Sequence, residues 1–339
     1  MIVEDWRDAE PAVVERLFET EAARWDRSLE WDSRASWAIV EDGRRRGNVS
    51  GWILRSGTGD VHGWTYYLLH DGELQIGGLT ADRSSDYRLL LDRVLDSPEA
   101  SRAAWVSAFV FPALPSLVSA LSRRRFAVRR SLYLRRALAP GLDVPTWPEG
   151  RRLRRFASRD TFPAARLLAT AYDGVPGAEC FAPHGRLDEW AHYLRQLIET
   201  PACGHWLPEA SFVVEEPGSL RLSGAILVTR LSAVAAHVAQ IAVGADARGQ
   251  GLGDMLLAHA STAAISAGHS CMTLMVDEEN AAARALYARH GFEERSAFVY
   301  ARRRGQVRSA FTAGPGKKQE AGSRKHNVAP DLQVRGPRG

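Results

Sequence analysis

The chain has 339 residues, of which 45% are hydrophobic and 25% charged. These are ordinary globular proportions; they exclude a wholly disordered, collagen-like or membrane-embedded chain, and the length fits two domains and a tail. The formal charge of +4 is uneven: residues 303–339 hold nine Lys+Arg and two acids, leaving 35 basic and 38 acidic side chains elsewhere, so net charge points to no anionic partner.

Residues 1–7 open with acids and no apolar run, and no signal peptide is read there. Asp8-x-x-Pro11 reads as a helix start with an Asp N-cap and a first-turn proline. Residues 75–91 lie over residues 240–256 without a gap at an offset of 165, which sets Gln75 on Gln240 and Arg83 on Arg248. The same offset sets the apolar run 105–111 over 270–276, and Phe126 matches Phe292 with a one-residue slip. So long a period indicates a duplicated domain rather than a solenoid. The apolar stretch 103–121 is broken by Pro112 and Pro115 and reads as a buried strand and a helix, not a membrane span. From residue 122 to 155 eleven arginines face two acids. In a chain whose lysines all lie in the tail, this belt reads as a solvated face of an arginine-biased, bacterial protein, and nucleic acid is not expected as a partner.

Pro145 and Pro148 mark residues 142–150 as a linker. Asp160-x-x-Pro163 repeats the helix start of the first half. Helices follow over 162–172 and 187–199. Strands over 212–215 and 225–229 flank a Pro217-Gly218 turn, a third strand covers 237–243, and a fourth covers 270–276. Helices span 251–267 and 280–290, the latter closed by Gly291. Residues 305–339 carry few apolar side chains and are expected to be disordered. Cys180, Cys203 and Cys271 form no CxxC pair, and their spacing with His184 and His205 matches no zinc knuckle; no metal is expected. A cytoplasmic protein is expected.

The chemistry concentrates in Arg248-Gly249-Gln250-Gly251-Leu252-Gly253, a glycine loop between a strand and an amphipathic helix. Glycines allow close backbone approach, and the following helix N-terminus leaves free N–H groups and partial positive charge, a cradle for a pyrophosphate. Neither a dinucleotide fingerprint nor a P-loop fits. After the next strand, Asn280 and Tyr287 stand two helical turns apart and share a face.

On these residues the sequence resembles the GNAT N-acetyltransferase superfamily. The family's acetyl-CoA loop, Q/R-x-x-G-x-G/A, is matched by Arg248, Gly251 and Gly253. Its second motif is matched by Asn280, Ala283, Leu286, Tyr287, Gly291 and Phe292. The resemblance covers about residues 153–303. It implies a mixed α/β, α+β-like three-layer sandwich, here as two tandem GNAT folds, each a mostly antiparallel sheet with a splayed central strand pair flanked by helices. The boundaries expected are 1–141 for a degenerate first domain, 142–150 for the linker, 151–304 for the catalytic domain and 305–339 for the tail.

The resemblance also implies an acyltransferase that moves an acetyl group from acetyl-CoA, its co-substrate, to a primary amine by direct attack. The amine would belong to a small molecule or a peptide. Ile241, Ala242 and Val243 would pair with the pantetheine arm, and Arg248, Gly249, Gln250, Gly251, Leu252 and Gly253 would hold the pyrophosphate. Asn280 would cap its helix and touch the cofactor, and Tyr287 would be the general acid. Where relatives often carry a glutamate base, this chain has Gln240, which cannot take a proton. His237 is the candidate base; strict strand alternation would set it on the opposite face from Gln240. Glu215 and Glu216 are further candidates. In the first half Asp86 falls on Gly251, Leu114 or Pro115 on Asn280, and Leu121 or Ser122 on Tyr287, so that half is expected to keep the fold without the activity. A tandem pair covers the surface that single-domain relatives use to dimerise, and a monomer is expected. The alternative reading is a non-catalytic acyl-CoA-binding sensor or interaction module.

Overall fold

The alternating and helical patterns of each half form their elements in the computed structural model, which describes residues 1–141, 147, 150–216, 218 and 221–305. The first half runs β1 (Ile2–Asp5), α1 (Pro11–Leu29), α2 (Arg34–Arg45), β2 (Ser50–Arg55), β3 (Val61–His70), β4 (Glu73–Ala81), α3 (Ser84–Leu95), α4 (Pro98–Arg102), β5 (Trp105–Val110), α5 (Pro115–Arg123) and β6 (Ala127–Ala137). The second runs β7 (Arg152–Arg155), α6 (Thr161–Ala171), α7 (Leu187–Glu199), β8 (His205–Trp206), β9 (Phe212–Glu215), β10 (Leu222–Arg230), β11 (Ala235–Val243), α8 (Leu252–Ser266), β12 (Cys271–Asp277), α9 (Ala281–Arg289) and β13 (Glu293–Arg304). Of the linker only Trp147 and Gly150 are described; Pro217 of the hairpin turn and residues 306–339 of the tail lie outside the described residues.

All strands join one 13-stranded sheet in the order β1-β2-β3-β4-β5-β13-β6-β12-β11-β10-β9-β7, with β8 beside β10. Only β4/β5 and β11/β12 pair in parallel, one such pair in each half. The last strand of each half closes the sheet of the other: β6 lies against β12, and β13 lies against β5. Leu132 and Leu134 of β6 pack with Met272, Leu274 and Val276 of the second half. Val299 and Ala301 of β13 pack with Val106, Ala108 and Val110 of the first. The architecture is mixed α/β with two copies of one fold, but the copies share a sheet rather than standing apart.

The duplication holds element by element, while its residue register differs from the ungapped offset. The parallel ladders begin at Glu73 with Trp105 and at Ala235 with Cys271, so Gln75 corresponds to His237, three residues from Gln240. Between β4 and α3 stand two residues, Asp82 and Arg83; between β11 and α8 stand eight, 244–251. The first half therefore has no counterpart of the glycine loop for Asp86 to occupy. The two helix starts also differ from expectation. Glu10, not Asp8, precedes α1. Asp160 stands before α6, but its carboxylate accepts from Arg154 (2.7 Å) and from the Ala157 N–H (2.8 Å) instead of capping.

Candidate active site

β11 pairs with β12 from Ala235 to Val238 and then leaves it, while it stays paired with β10 as far as Val243. The departure opens a wedge in the sheet. It coincides with a register shift: Gln240 faces Leu227 and Val238 faces Val228, so Ala239 is an extra, bulged residue. The bulge inverts the alternation. Val238 packs in the core beneath α8, and so do Ile241 and Val243; Ala239 and Ala242 pack with α6 and α7 on the other face. His237 and Gln240 consequently share a face, contrary to the straight-strand expectation.

A cleft of about 670 Å³ runs through this wedge. Its α8 and α9 side is lined by Arg248, Gly249, Gly251, Leu252, Gly253, Asn280 and Tyr287, and its floor by Ile241, Ala242 and Val243. Gly249 and Gly251 have φ of +73° and +74°, left-handed values that a side chain would strain. Gly251 sits at the N-cap of α8, so the first-turn N–H groups of that helix have no intrahelical acceptor. Arg248 braces the loop, donating to the carbonyls of Ala171 (2.9 Å) and Val243 (3.4 Å). Gln250 points elsewhere: its Oε1 accepts from Arg151 and its Nε2 donates to the Asp246 carbonyl, and it does not line the cleft. Asp254, in the first turn of α8, is drawn to Arg289, the last residue of α9, and to His290 just after it at 3.1 Å each, away from the loop.

Asn280 caps α9 through Oδ1, which accepts from the Ala283 N–H at 3.1 Å. Tyr287 is 6% exposed, and burial holds its hydroxyl protonated well beyond the usual tyrosine range. It lines the cleft with that hydroxyl protonated. Tyr172, at the end of α6, also lines the cleft and donates to the Ile241 carbonyl at 3.2 Å.

His237 does not line the cleft. It is 1% exposed, its Nδ1 is 2.9 Å from Thr273 Oγ1, and its ring lies between Trp31 and Tyr133 at 5.9 and 6.0 Å. Burial pushes its pKa down to about 3, because a charge there would be stripped of water. The structure thus removes it from the candidate bases. Glu215 pairs with Arg154 on β9, and neither it nor Glu216 lines the cleft.

The α6–α7 side of the cleft holds residues the sequence reading passed over. Phe109 of β5 and Ser131 of β6 reach it from the first half, with no local pattern to announce them. Asp277 ends β12 three residues before the cap Asn280, a position that could have drawn notice. Its Oδ2 accepts from Arg129 Nε and its Oδ1 from the Glu279 N–H, both at 2.9 Å.

Residues 176–292 match the acetyltransferase (GNAT) family. Among solved structures, the chain is similar to a GCN5-related N-acetyltransferase from Sphaerobacter thermophilus at 18% identity and TM-score 0.62, covering 89% of this chain and 95% of that one. It is similar to a tandem GNAT protein from the clavulanic acid biosynthesis pathway at 18% identity and TM-score 0.52, covering 79% and 84%. A GCN5-related glucosamine N-acetyltransferase region of a fungal multi-domain GH3 beta-N-acetylglucosaminidase aligns at 15% identity and TM-score 0.58, over 89% of this chain and 38% of that one. None of the curated proteins matches the chain. At these identities the structural likeness concerns the fold.

Proposed function

We propose, from the premise that the chain belongs to the GNAT acetyltransferase superfamily, that its second fold transfers an acetyl group from acetyl-CoA to a primary amine by direct attack. The observation that carries this reading is the wedge between β11 and β12, open to the glycine loop on one face of the sheet and to the α6–α7 side on the other. Acetyl-CoA, when bound, supplies an activated thioester that an amine attacks without a covalent enzyme intermediate. The site fits such a ligand: Gly249 and Gly251 bring no Cβ atom to the cleft, and the free N–H groups at the start of α8 suit a pyrophosphate. The edge of β11 from Ala239 to Val243, which β12 has left, offers backbone donors and acceptors to an extended arm. Tyr287 holds a proton for the departing thiolate. In this reading a strand N–H beside the bulge stabilises the negative charge developing on the thioester oxygen.

The first fold serves the second as scaffold in this reading. Its own parallel pair separates after Ile76, but the Tyr66 ring lies over Gly77 and Gly78 and stacks on Trp6 at 5.8 Å. It lacks the loop, and Leu114 and Leu121 stand at the places of Asn280 and Tyr287. What it contributes is β6, Phe109 and Ser131. Five of the eleven arginines of the belt, Arg124, Arg129, Arg130, Arg135 and Arg154, pair with carboxylates, which supports the reading without nucleic acid. Among the described residues no helix is long and apolar enough to cross a membrane, and we place the protein in the cytoplasm as a monomer.

A thiol-release assay with an amine panel tests the function. Turnover that collapses in Tyr287→Phe supports it. Acetyl-CoA binding with no turnover on any amine would instead make the chain a sensor.

A further inference from the structure

The α6–α7 side of the cleft is where an acceptor must enter, since the loop and α9 occupy the other. Its walls are mostly apolar: Phe109, Val175, Pro176, Phe181 and Met275 line it. The groups that could take a proton from an incoming ammonium are already committed. Among the described residues Asp277 is the one carboxylate that lines that side, and three donors hold its oxygens, two from Arg129 and one from the Glu279 N–H. Those bonds occupy lone pairs that an incoming N–H would need. Of the other acids near it, Glu179 and Glu279 hold Arg129 and Glu278 holds Arg130, all from outside the cleft. Gln240 of β11 donates from Nε2 to the Tyr193 hydroxyl of α7 at 3.0 Å, leaving Oε1 buried and without a partner among the described residues. An amide oxygen accepts an N–H but cannot remove the proton. Ser131 of β6 adds only a hydroxyl. Cys180, Tyr172 and Tyr287 are all held protonated by burial. On the loop and helix side stand Arg248, Arg289 and Asp254, the last tied to Arg289.

We infer that the acceptor is a weakly basic amine with an apolar flank, such as an α-amino amide, taken up as the neutral free base; the inference rests on the acetyl-transfer reading above. Chain chemistry motivates both halves of it. Apolar walls disfavour an ammonium, and with no base in reach among the described residues one proton leaves to solvent before attack; the proton that the attacking nitrogen sheds afterwards replaces the one Tyr287 gives the departing thiolate. The neutral fraction then governs the rate. At pH 7 an α-amine, with a pKa of about 7.7–8.0, is roughly 300-fold richer in free base than a side-chain amine of about 10.4.

The test uses the full chain with phenylalanine amide and 2-phenylethylamine, which share an aromatic flank and differ in amine basicity. With each acceptor, kcat/KM should rise tenfold per pH unit and level at that amine's own pKa. The amide should lead by about 10²-fold at pH 7. Profiles that level at one common pH for both amines would expose an enzyme base and overturn the inference, as would equal rates at pH 7, while leaving acetyl transfer intact. No transfer to either amine, nor to any member of the wider panel, removes the acetyl-transfer reading and the inference with it.

Discussion

Leu132 offers the sharpest test of the exchanged strands. It belongs to the first half by sequence, yet on β6 it stands opposite Val276 of β12 and Ala297 of β13, and it is 3% exposed. Leu132→Ala removes three carbons from a core shared with Met272, Leu274 and Leu256 of the second half. Deleting a buried leucine side chain in such a setting costs about 2–5 kcal/mol, roughly 3–8 °C in melting temperature for a cooperative fold of this size. Seven of the ten tryptophans precede residue 142, so intrinsic fluorescence reports the first half, while protection by acetyl-CoA reports the second. In urea, both signals of the wild type should change in one transition, and the substitution should move both midpoints together with an unchanged slope. Two separable transitions, with only the fluorescence midpoint displaced, would refute the shared sheet. A loss under about 1 kcal/mol would refute the packing argument for the site.

Tyr287→Phe should lower kcat by roughly 10²-fold or more while acetyl-CoA affinity by calorimetry stays within a few-fold, because only the proton donor is lost. Gly251→Val places a β-branched side chain at φ +74°; about 1–2 kcal/mol of backbone strain and a blocked cradle should raise the acetyl-CoA Kd at least ~10-fold. His237 stays neutral in the fold down to about pH 3, whereas unfolded histidine takes a proton near ~6.5. Between those values the unfolded state binds one more proton, so stability is complete above ~6.5 and falls with pH by about 1.4 kcal/mol per unit. Urea midpoints from pH 4 to 7 should therefore slope less steeply in His237→Gln than in the wild type; equal slopes would show the buried imidazole to be protonated.

The cofactor side of the site was legible because its signals are local. A glycine loop of positive φ, a helix N-terminus and a capping asparagine two turns before a tyrosine are all set by neighbours within about ten residues, and each stands where its pattern placed it. The secondary structure of the second half was legible for the same reason: α7 and β9 begin and end on the residues their periodicity marked. The bulge at Ala239 was not, because one extra residue on an otherwise regular strand leaves no composition signal, yet it reverses every side chain beyond it. That single residue decides that Gln240 shares the face of His237.

The sequence by itself determined that one fold is present twice, that the second copy carries the loop and the Asn280–Tyr287 face, and that the first copy lacks both. Tertiary structure alone decided which strand closes which sheet. β6 and β13 have similar arginine-flanked apolar patterns, and a period of two states which face is buried but not which neighbour supplies the hydrogen bonds. Strand pairing between residues more than a hundred positions apart is settled by the burial of complementary faces, here Leu132 and Leu134 against β12 and Val299 and Ala301 against β5. From that pairing follows the rest: Phe109 and Ser131 reach the α6–α7 side of the cleft, Arg129 holds Asp277, and His237 is walled in outside the cleft.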